Sequence, residues 1–257
     1  MANIHHSAAK GFANSAATYV SGRPEYPREV DDWLHGDLGL GTGKAALDLG
    51  AGTGKFLARL RVAGAAVAAV EPVPAMLEQL IAANPDVIAK RGSAEHIPFS
   101  DCSFDAVICA QAFHWFATAE ALAEIRRVLA PGGALGLIWN VRDESVSWVA
   151  ALTEIIRPYE RDVPRYHTQE WRRRRFPGDG FSPLMERRFQ NAHRGPPEQV
   201  IVDRVLSISV IAALPIEEQA LVASRVRDLI IRSPELASRS EVTFPYYTAA
   251  FSCRRIG

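Results

Sequence analysis

The stretch Ala45-Ala-Leu-Asp-Leu-Gly-Ala-Gly-Thr-Gly-Lys-Phe56 constrains this chain more than any other. Ala45 to Leu49 is a short apolar run of the kind that forms a parallel strand buried on both faces. Glycines follow at alternate positions, Gly50, Gly52 and Gly54, and a helical pattern with Phe56, Leu57 and Leu60 on one face comes next. The reading is a strand, a tight turn and a helix N-terminus. Glycine lets the backbone turn sharply and lets a ligand approach it closely.

Such a turn alone does not separate one nucleotide-like ligand from another. The next element narrows the choice. Val67 to Val70 reads as a second buried strand ending at Glu71. An acidic side chain about 20 residues past the turn is placed to accept the hydroxyls of an adenosine ribose. Two features argue against a dinucleotide. The third glycine comes two residues after the second, where the dinucleotide fingerprint has three. Asp48 also precedes the turn, and a carboxylate suits an ammonium or sulfonium group better than a pyrophosphate.

With these residues the chain resembles the class I S-adenosylmethionine (SAM)-dependent methyltransferases, type 11-like. Asp48-Leu49-Gly50-Ala51-Gly52-Thr53-Gly54 matches the family's acidic-x-Gly-x-Gly-x-Gly motif without a gap. The resemblance covers Ala45 to Asn140 with well-spaced motifs and the whole chain more loosely. The Arg-Pro preface, the Phe-His-Trp loop and the Phe-Pro-Tyr…Cys-Arg strand are similar to those of trans-aconitate methyltransferases and of fungal gliotoxin-type thiol methyltransferases.

The rest of the chain alternates in the way a doubly wound α/β fold requires. Helices are expected over about Arg28–His35, Thr53–Val62, Pro74–Ala83 and Ala119–Leu129, and strands over Ala66–Val70, Asp86–Arg91, Phe104–Ala110 and Ala134–Trp139. Phe12 to Val20 has an amphipathic pattern. Ala130-Pro-Gly-Gly133 ends one helix firmly. Farther on, Val146–Tyr159, Pro196–Ala213 and Ile216–Arg232 read as helices, the last with Leu221, Val222, Val226, Leu229 and Ile230 on one face. Leu184–His193 and Glu241–Arg254 read as strands. The resemblance makes these last two an antiparallel C-terminal edge hairpin. The expected fold is therefore a Rossmann-like, seven-stranded, mostly parallel α/β sheet with a helical cap. It forms one domain over residues 1–257, with a core over 37–140 and cap elements over 11–36, 141–180 and 195–235.

Composition sets outer limits. Acidic and basic residues balance at 29 each, so net charge gives no general attraction to nucleic acid or anionic membranes. No apolar run reaches the length of a membrane span, and the first ten residues lack a signal-peptide core. Cys102, Cys109 and Cys253 have no metal-ligand spacing. A reduced cytoplasmic protein, monomeric or homodimeric, with no metal, is expected. Cys109 falls in a strand run and reads as core.

What the resemblance implies can be placed residue by residue. Tyr19 and Arg23, in Tyr-x-x-x-Arg-Pro-x-Tyr-Pro, belong near the methionine end of SAM. A guanidinium there suits the carboxylate. Gly50, Gly52 and Gly54 admit the amino-acid part. Asp48 either orients the turn by bonds to backbone amides or faces the ammonium. Glu71 accepts the ribose hydroxyls, Pro72 and Met76 flank the adenine, and Ser93, Ala94 and Glu95 stand where the family often has Gly-Asp-Ala-Glu. Gln111 falls near the methionyl group.

Ala110-Gln-Ala-Phe-His-Trp-Phe116 follows the fourth strand, where such enzymes meet their acceptors. His114 is the candidate base, although a Phe-His-Trp segment also serves simply to shape a loop. Phe113, Trp115, Phe116 and Trp139 give an aromatic mouth, and Arg142 is either an anchor for an anionic acceptor or a surface ion pair. No Asn-Pro-Pro-Tyr or Asp-Pro-Pro-Tyr run follows this strand, which argues against nucleic-acid adenine and glutamine methylation. Arg172 to Arg175 is the only basic cluster and reads as a solvated face or a subunit salt-bridge network. The expected activity is transfer of a methyl group from SAM to S, O or N of a small molecule, releasing S-adenosylhomocysteine (SAH). A non-catalytic SAM-binding protein and an RNA or protein methyltransferase are the competing readings.

Overall fold

The computed structural model describes residues 23–160, 164, 166–176, 178 and 180–257. Tyr19 and the pattern from Phe12 to Val20 lie outside the described residues. Seven strands form one sheet: β1 (Ala45–Leu49), β2 (Ala66–Glu71), β3 (Ile88–Arg91), β4 (Phe104–Ala110), β5 (Leu129–Arg142), β6 (Met185–Gly195) and β7 (Val242–Arg254). Their order is β3-β2-β1-β4-β5-β7-β6. β3 through β5 pair in parallel, and β7 runs antiparallel to both β5 and β6. The expected architecture, including the edge hairpin, is the one observed.

The strand order reverses between β1 and β4, so the chain leaves those two strands in opposite directions and opens a crevice at their carboxyl ends. Apolar side chains seal both faces of the sheet. Trp33, Leu34, Phe56 and Leu60 cover one, and Phe113, Leu122, Ile125 and Trp171 cover the other. Cys109 is fully buried in β4. A separate apolar cluster joins Trp148 and Leu152 to Val200, Val205, Val222 and Val226, and it rests on Phe244 and Tyr246 at the start of β7. The cap is thereby attached to the sheet at the end nearest the crevice.

Three local departures from the sequence pattern have physical reasons. The helix expected from Thr53 begins at Leu57, because Gly52 and Gly54 hold left-handed φ values of 58° and 85° and continue as turns. β5 extends both ways beyond Ala134–Trp139. Its ladder with β4 slips between Leu129 and Ala134, where the Pro-Gly-Gly insertion bulges.

The single helix expected over Pro196–Ala213 is instead three pieces, a wide-turned Glu198–Asp203, then Arg204–Leu206 and Ser209–Ala212. Ser207 Oγ donates to the Arg204 carbonyl at 2.8 Å, and Ile208 then turns extended. A side chain competing for helix carbonyls breaks the regular ladder. Ile216–Arg232 is one helix as expected, but Leu221 points outward and is 50% exposed while Val222 and Val226 face in. The basic cluster is engaged locally: Arg172 pairs with Glu186 at 3.0 Å, and Arg175 donates to the Ala117 carbonyl at 2.7 Å.

Candidate active site

The glycine turn and the end of β2 are bonded into one unit. Gly50 and Ala51 donate their N–H groups to the Val70 carbonyl. The Glu71 carboxylate accepts from Gly52 N–H and from Val73 N–H, both at 2.8 Å. Burial raises the Glu71 pKa, and these two amide bonds work against that rise. The carboxylate is thus fixed at the carboxyl end of β2, beside the turn.

Asp48 differs from the role the turn suggested. It is fully buried, and neither carboxylate oxygen has a hydrogen-bond partner among the described residues. It caps no backbone amide of the turn. Burial, aided by the negative charge of Glu71, raises its pKa to about 8.

Above this unit lies a cleft whose empty space, counted to its open mouth, is about 1310 Å³. Arg23, Gly50, Gly52, Glu71, Pro72, Met76, Ser93, Ala94, Glu95 and Gln111 all line it. Asp48 and Gly54 do not border it. Gly54 is instead packed closely, since a Cβ there would stand 2.9 Å from Leu57 Cδ1.

A second chamber of about 840 Å³ adjoins the first. Arg23, Gln111, Trp115, Asn140 and Arg204 border both, so the two spaces communicate. His114, Trp139 and Arg142 line the second chamber, with Tyr166, Glu144 and Glu160 opposite. Phe113 does not belong there. It is fully buried against Phe116, Trp171 and Phe176, facing the sheet core. In the Phe-His-Trp turn, Phe113 enters the core while His114 and Trp115 line the chambers, and the sequence does not say which residue turns inward.

Two features fix the junction of the chambers. Gln111 holds a left-handed φ of 59°, rare for a non-glycine residue, and its N–H donates to the Ile138 carbonyl at 2.8 Å. Such strain persists only where surroundings impose it. Asn140 is the second. Its side-chain amide donates to the carbonyls of Pro24 and Glu25, and its carbonyl oxygen accepts from Asn191 and Thr248. The Arg-Pro preface is thereby tied across the crevice, and Arg23 Nη2 reaches the Ser207 carbonyl of the cap at 3.2 Å.

His114 Nδ1 accepts the indole proton of Trp139 at 3.1 Å. An indole N–H only donates, so the neutral imidazole keeps its own proton on Nε2. In that state the ring is a hydrogen-bond donor at Nε2, and acting as a base there would require giving up the Trp139 bond.

Residues 47–137 match the sequence profile of a family described as a methyltransferase domain. An uncharacterized methyltransferase-like protein of Schizosaccharomyces pombe is 37% identical, with 96% of each chain covered. The chain belongs to the class I SAM-dependent methyltransferase family. An uncharacterized methyltransferase of Mycobacterium tuberculosis is 40% identical over 92% of both chains. Among solved structures, a candidate type II methyltransferase from Anaeromyxobacter dehalogenans superposes with a TM-score of 0.60 at 25% identity, covering 91% of this chain and 97% of that one.

The described residues of this methyltransferase fit SAM. A Cβ added at Gly52 would meet only Met76 Sδ, at 3.9 Å, so that side of the turn is open to the cleft. Beside it, Glu71 presents a carboxylate suited to vicinal hydroxyls. Among the described residues no group of three or more His, Cys, Asp or Glu side chains is placed to hold a metal. Among the described residues no helix is long and apolar enough to cross a membrane. Arg204 and Tyr246 border the cleft, and sequence reading missed both. Arg204 sat inside what looked like an ordinary helix, and Tyr246 inside an alternating strand. The lone Ser207 three residues after Arg204 was the available signal of a break.

The Asp48 pKa gives a prediction. A carboxyl raised from 3.8 to about 8 on folding is protonated in the fold across a window where the unfolded chain is ionised. Stability is therefore full below the unfolded pKa and lost as pH rises toward the folded one, with a slope of about 1.4 kcal/mol per pH unit. Glu71, also raised, adds to the same trend. Asp48→Asn is expected to flatten the fall in melting temperature between pH 5 and pH 8. Parallel pH profiles for the variant and the parent would contradict this.

Proposed function

We propose that this methyltransferase moves a methyl group from SAM to a nucleophilic S, O or N atom of a small molecule enclosed in the second chamber. The observation that carries the reading is the shared wall. Five residues border both spaces, so an acceptor in the second chamber meets the contents of the first directly. The chain is read as one functional unit over residues 1–257, with its core at 37–140, working in the cytoplasm.

SAM supplies the activated methyl group, carried on a sulfonium. Glu71 holds the ribose hydroxyls, and the amides of Gly52 and Val73 orient its carboxylate in advance. Pro72 and Met76 flank the adenine, with Ser93, Ala94 and Glu95 at its edge. Gly52 leaves room for the amino-acid part, which passes the backbone of Gly50, while Arg23 takes its carboxylate and Gln111 borders the methionyl carbons. His114, Trp115, Trp139 and Arg142 hold the acceptor.

In-line displacement at a sulfonium needs alignment and water exclusion more than proton transfer. An anionic nucleophile has no proton to lose. The Trp139–His114 bond supports a positioning role for His114, as a donor, in preference to a base.

The test is incubation of the purified protein with methyl-labelled SAM and a panel of thiols, carboxylic acids, phenols and amines. Label in one class is expected and names the nucleophile. Tight SAM binding with no label transferred to any class would count against the catalytic reading and favour a SAM-binding protein.

A further inference from the structure

The second chamber gathers three arginines, Arg23, Arg142 and Arg204, against the two carboxylates of Glu144 and Glu160. Arg142 is the last residue of β5 and pairs in register with Tyr246 of β7. Arg204 reaches the same place from the break in the cap. Among the described residues the Arg142 side chain makes no hydrogen bond or ion pair, although Glu144 and Glu160 border the chamber. Glu144 is instead bonded by the Thr153 hydroxyl at 2.9 Å. Arg204 Nε and Nη1 are buried without a partner among the described residues.

Two guanidiniums facing each other in a largely desolvated space are unfavourable for the protein by itself. The Arg142 pKa is lowered first by burial and then by the charge of Arg204, while Glu160, Tyr246 and Glu144 work against that fall. Arg204, Arg142 and Arg23 all lower the pKa of the buried Tyr246 hydroxyl, which burial raises. The Glu144 and Glu160 carboxylates border the same chamber, yet buried Arg204 donors stay unmatched beside Arg142. Folded proteins seldom leave such groups unmatched, and an unmatched set points to a ligand that supplies the acceptors.

We infer that Arg142, with Arg204 beside it, forms an anion-binding subsite in the second chamber that anchors a carboxylate of the methyl acceptor, away from the atom that is methylated. The planar fork of arginine matches a carboxylate in two parallel bonds. The placement makes the carboxylate an anchor and not the nucleophile. Arg142 borders only the second chamber, whereas the junction with the cofactor cleft is formed by Gln111, Trp115 and Asn140 with Arg23 and Arg204. Oxygen lone pairs engaged by two guanidiniums are also poorly available for attack. The acceptor is therefore a bifunctional organic acid, with one anionic end at Arg142 and a separate nucleophilic atom at the junction. This rests on the methyltransferase reading of the same site.

The experiment measures binding of benzoate, phenyl phosphate and neutral benzamide to the full chain saturated with SAH. Calorimetry and thermal melts are run on the parent, Arg142→Met and Arg142→Lys. Benzoate is expected to bind saturably and to raise the melting temperature, and benzamide to do neither. Arg142→Met should lose benzoate affinity at least tenfold, Arg142→Lys should lose less, and both should keep the parent's SAH affinity. Arg142→Met should also melt higher than the parent without anion, since it removes one of two facing charges.

Equal benzoate binding in parent and Arg142→Met, or no saturable benzoate binding in the parent, would overturn the subsite. Tighter phenyl phosphate than benzoate binding would overturn the carboxylate assignment. Loss of SAH affinity in a folded Arg142→Met would place the guanidinium on the cofactor instead. Failure of the parent to bind SAH would overturn the cofactor reading itself, a result independent of whether benzoate binds.

Discussion

Glu71→Ala is expected to lower SAM affinity by at least about 30-fold, since hydrogen bonds to a charged group contribute about 1.5–3 kcal/mol each. The carboxylate is already held by Gly52 N–H and Val73 N–H, so it needs little reorganisation to meet the ribose. The alanine variant removes those two bonds as well and loosens the turn. Glu71→Gln separates the effects. It keeps one acceptor oxygen for a backbone amide but loses the charge. Its affinity should fall between those of the parent and Glu71→Ala, with a melting temperature close to the parent's. Calorimetric titration with SAM checks both. Unchanged affinity in either folded variant would remove the cofactor assignment from this cleft.

Glu71 was legible in the sequence because its position follows from local rules. A strand, a glycine turn, a helix and a second strand occupy a nearly fixed number of residues, and the sheet places both strand ends on one edge. The same logic located Gly52, Pro72 and Gln111 and gave the parallel part of the sheet, while the antiparallel edge hairpin followed from the family resemblance. Each of these lies within a few residues of a strand end, where hydrophobic pattern and turn chemistry agree.

The acceptor chamber was much less legible. Its walls come from β5, β7 and the cap, which are distant in sequence. Phe113 and His114 are neighbours in one short turn, yet one enters the core and the other the chamber. Periodicity does not resolve a single turn. Arg204 lines the chamber beside a break at Ser207 in the helix expected there, and a hydrophobic count over the window hides that break. Asp48 shows a different limit. Its place in the motif was clear, but its complete burial depends on how β1 lies between β2 and β4.

Gly52→Val is expected to reduce SAM binding by about 10²-fold or more while leaving the fold largely intact, and the three glycines together explain why. A Cβ at Gly50 would stand 2.9 Å from Ala112 Cβ, and one at Gly54 would stand 2.9 Å from Leu57 Cδ1 and 3.0 Å from Asn84 Nδ2. Those two positions are closed by packing, so substitution there damages the fold. At Gly52 the nearest heavy atom to a new Cβ is Met76 Sδ, at 3.9 Å. The branched methyl groups of valine would project into the cleft that the cofactor needs. The φ of 58° adds strain, costing about 1–2 kcal/mol for an L-residue and lowering the melting temperature by several degrees. Gly54→Val should instead lose cooperative melting altogether. A Gly52→Val protein that melts cooperatively and binds SAM like the parent would mean that the ligand does not pass over this turn, and the site would have to be sought elsewhere.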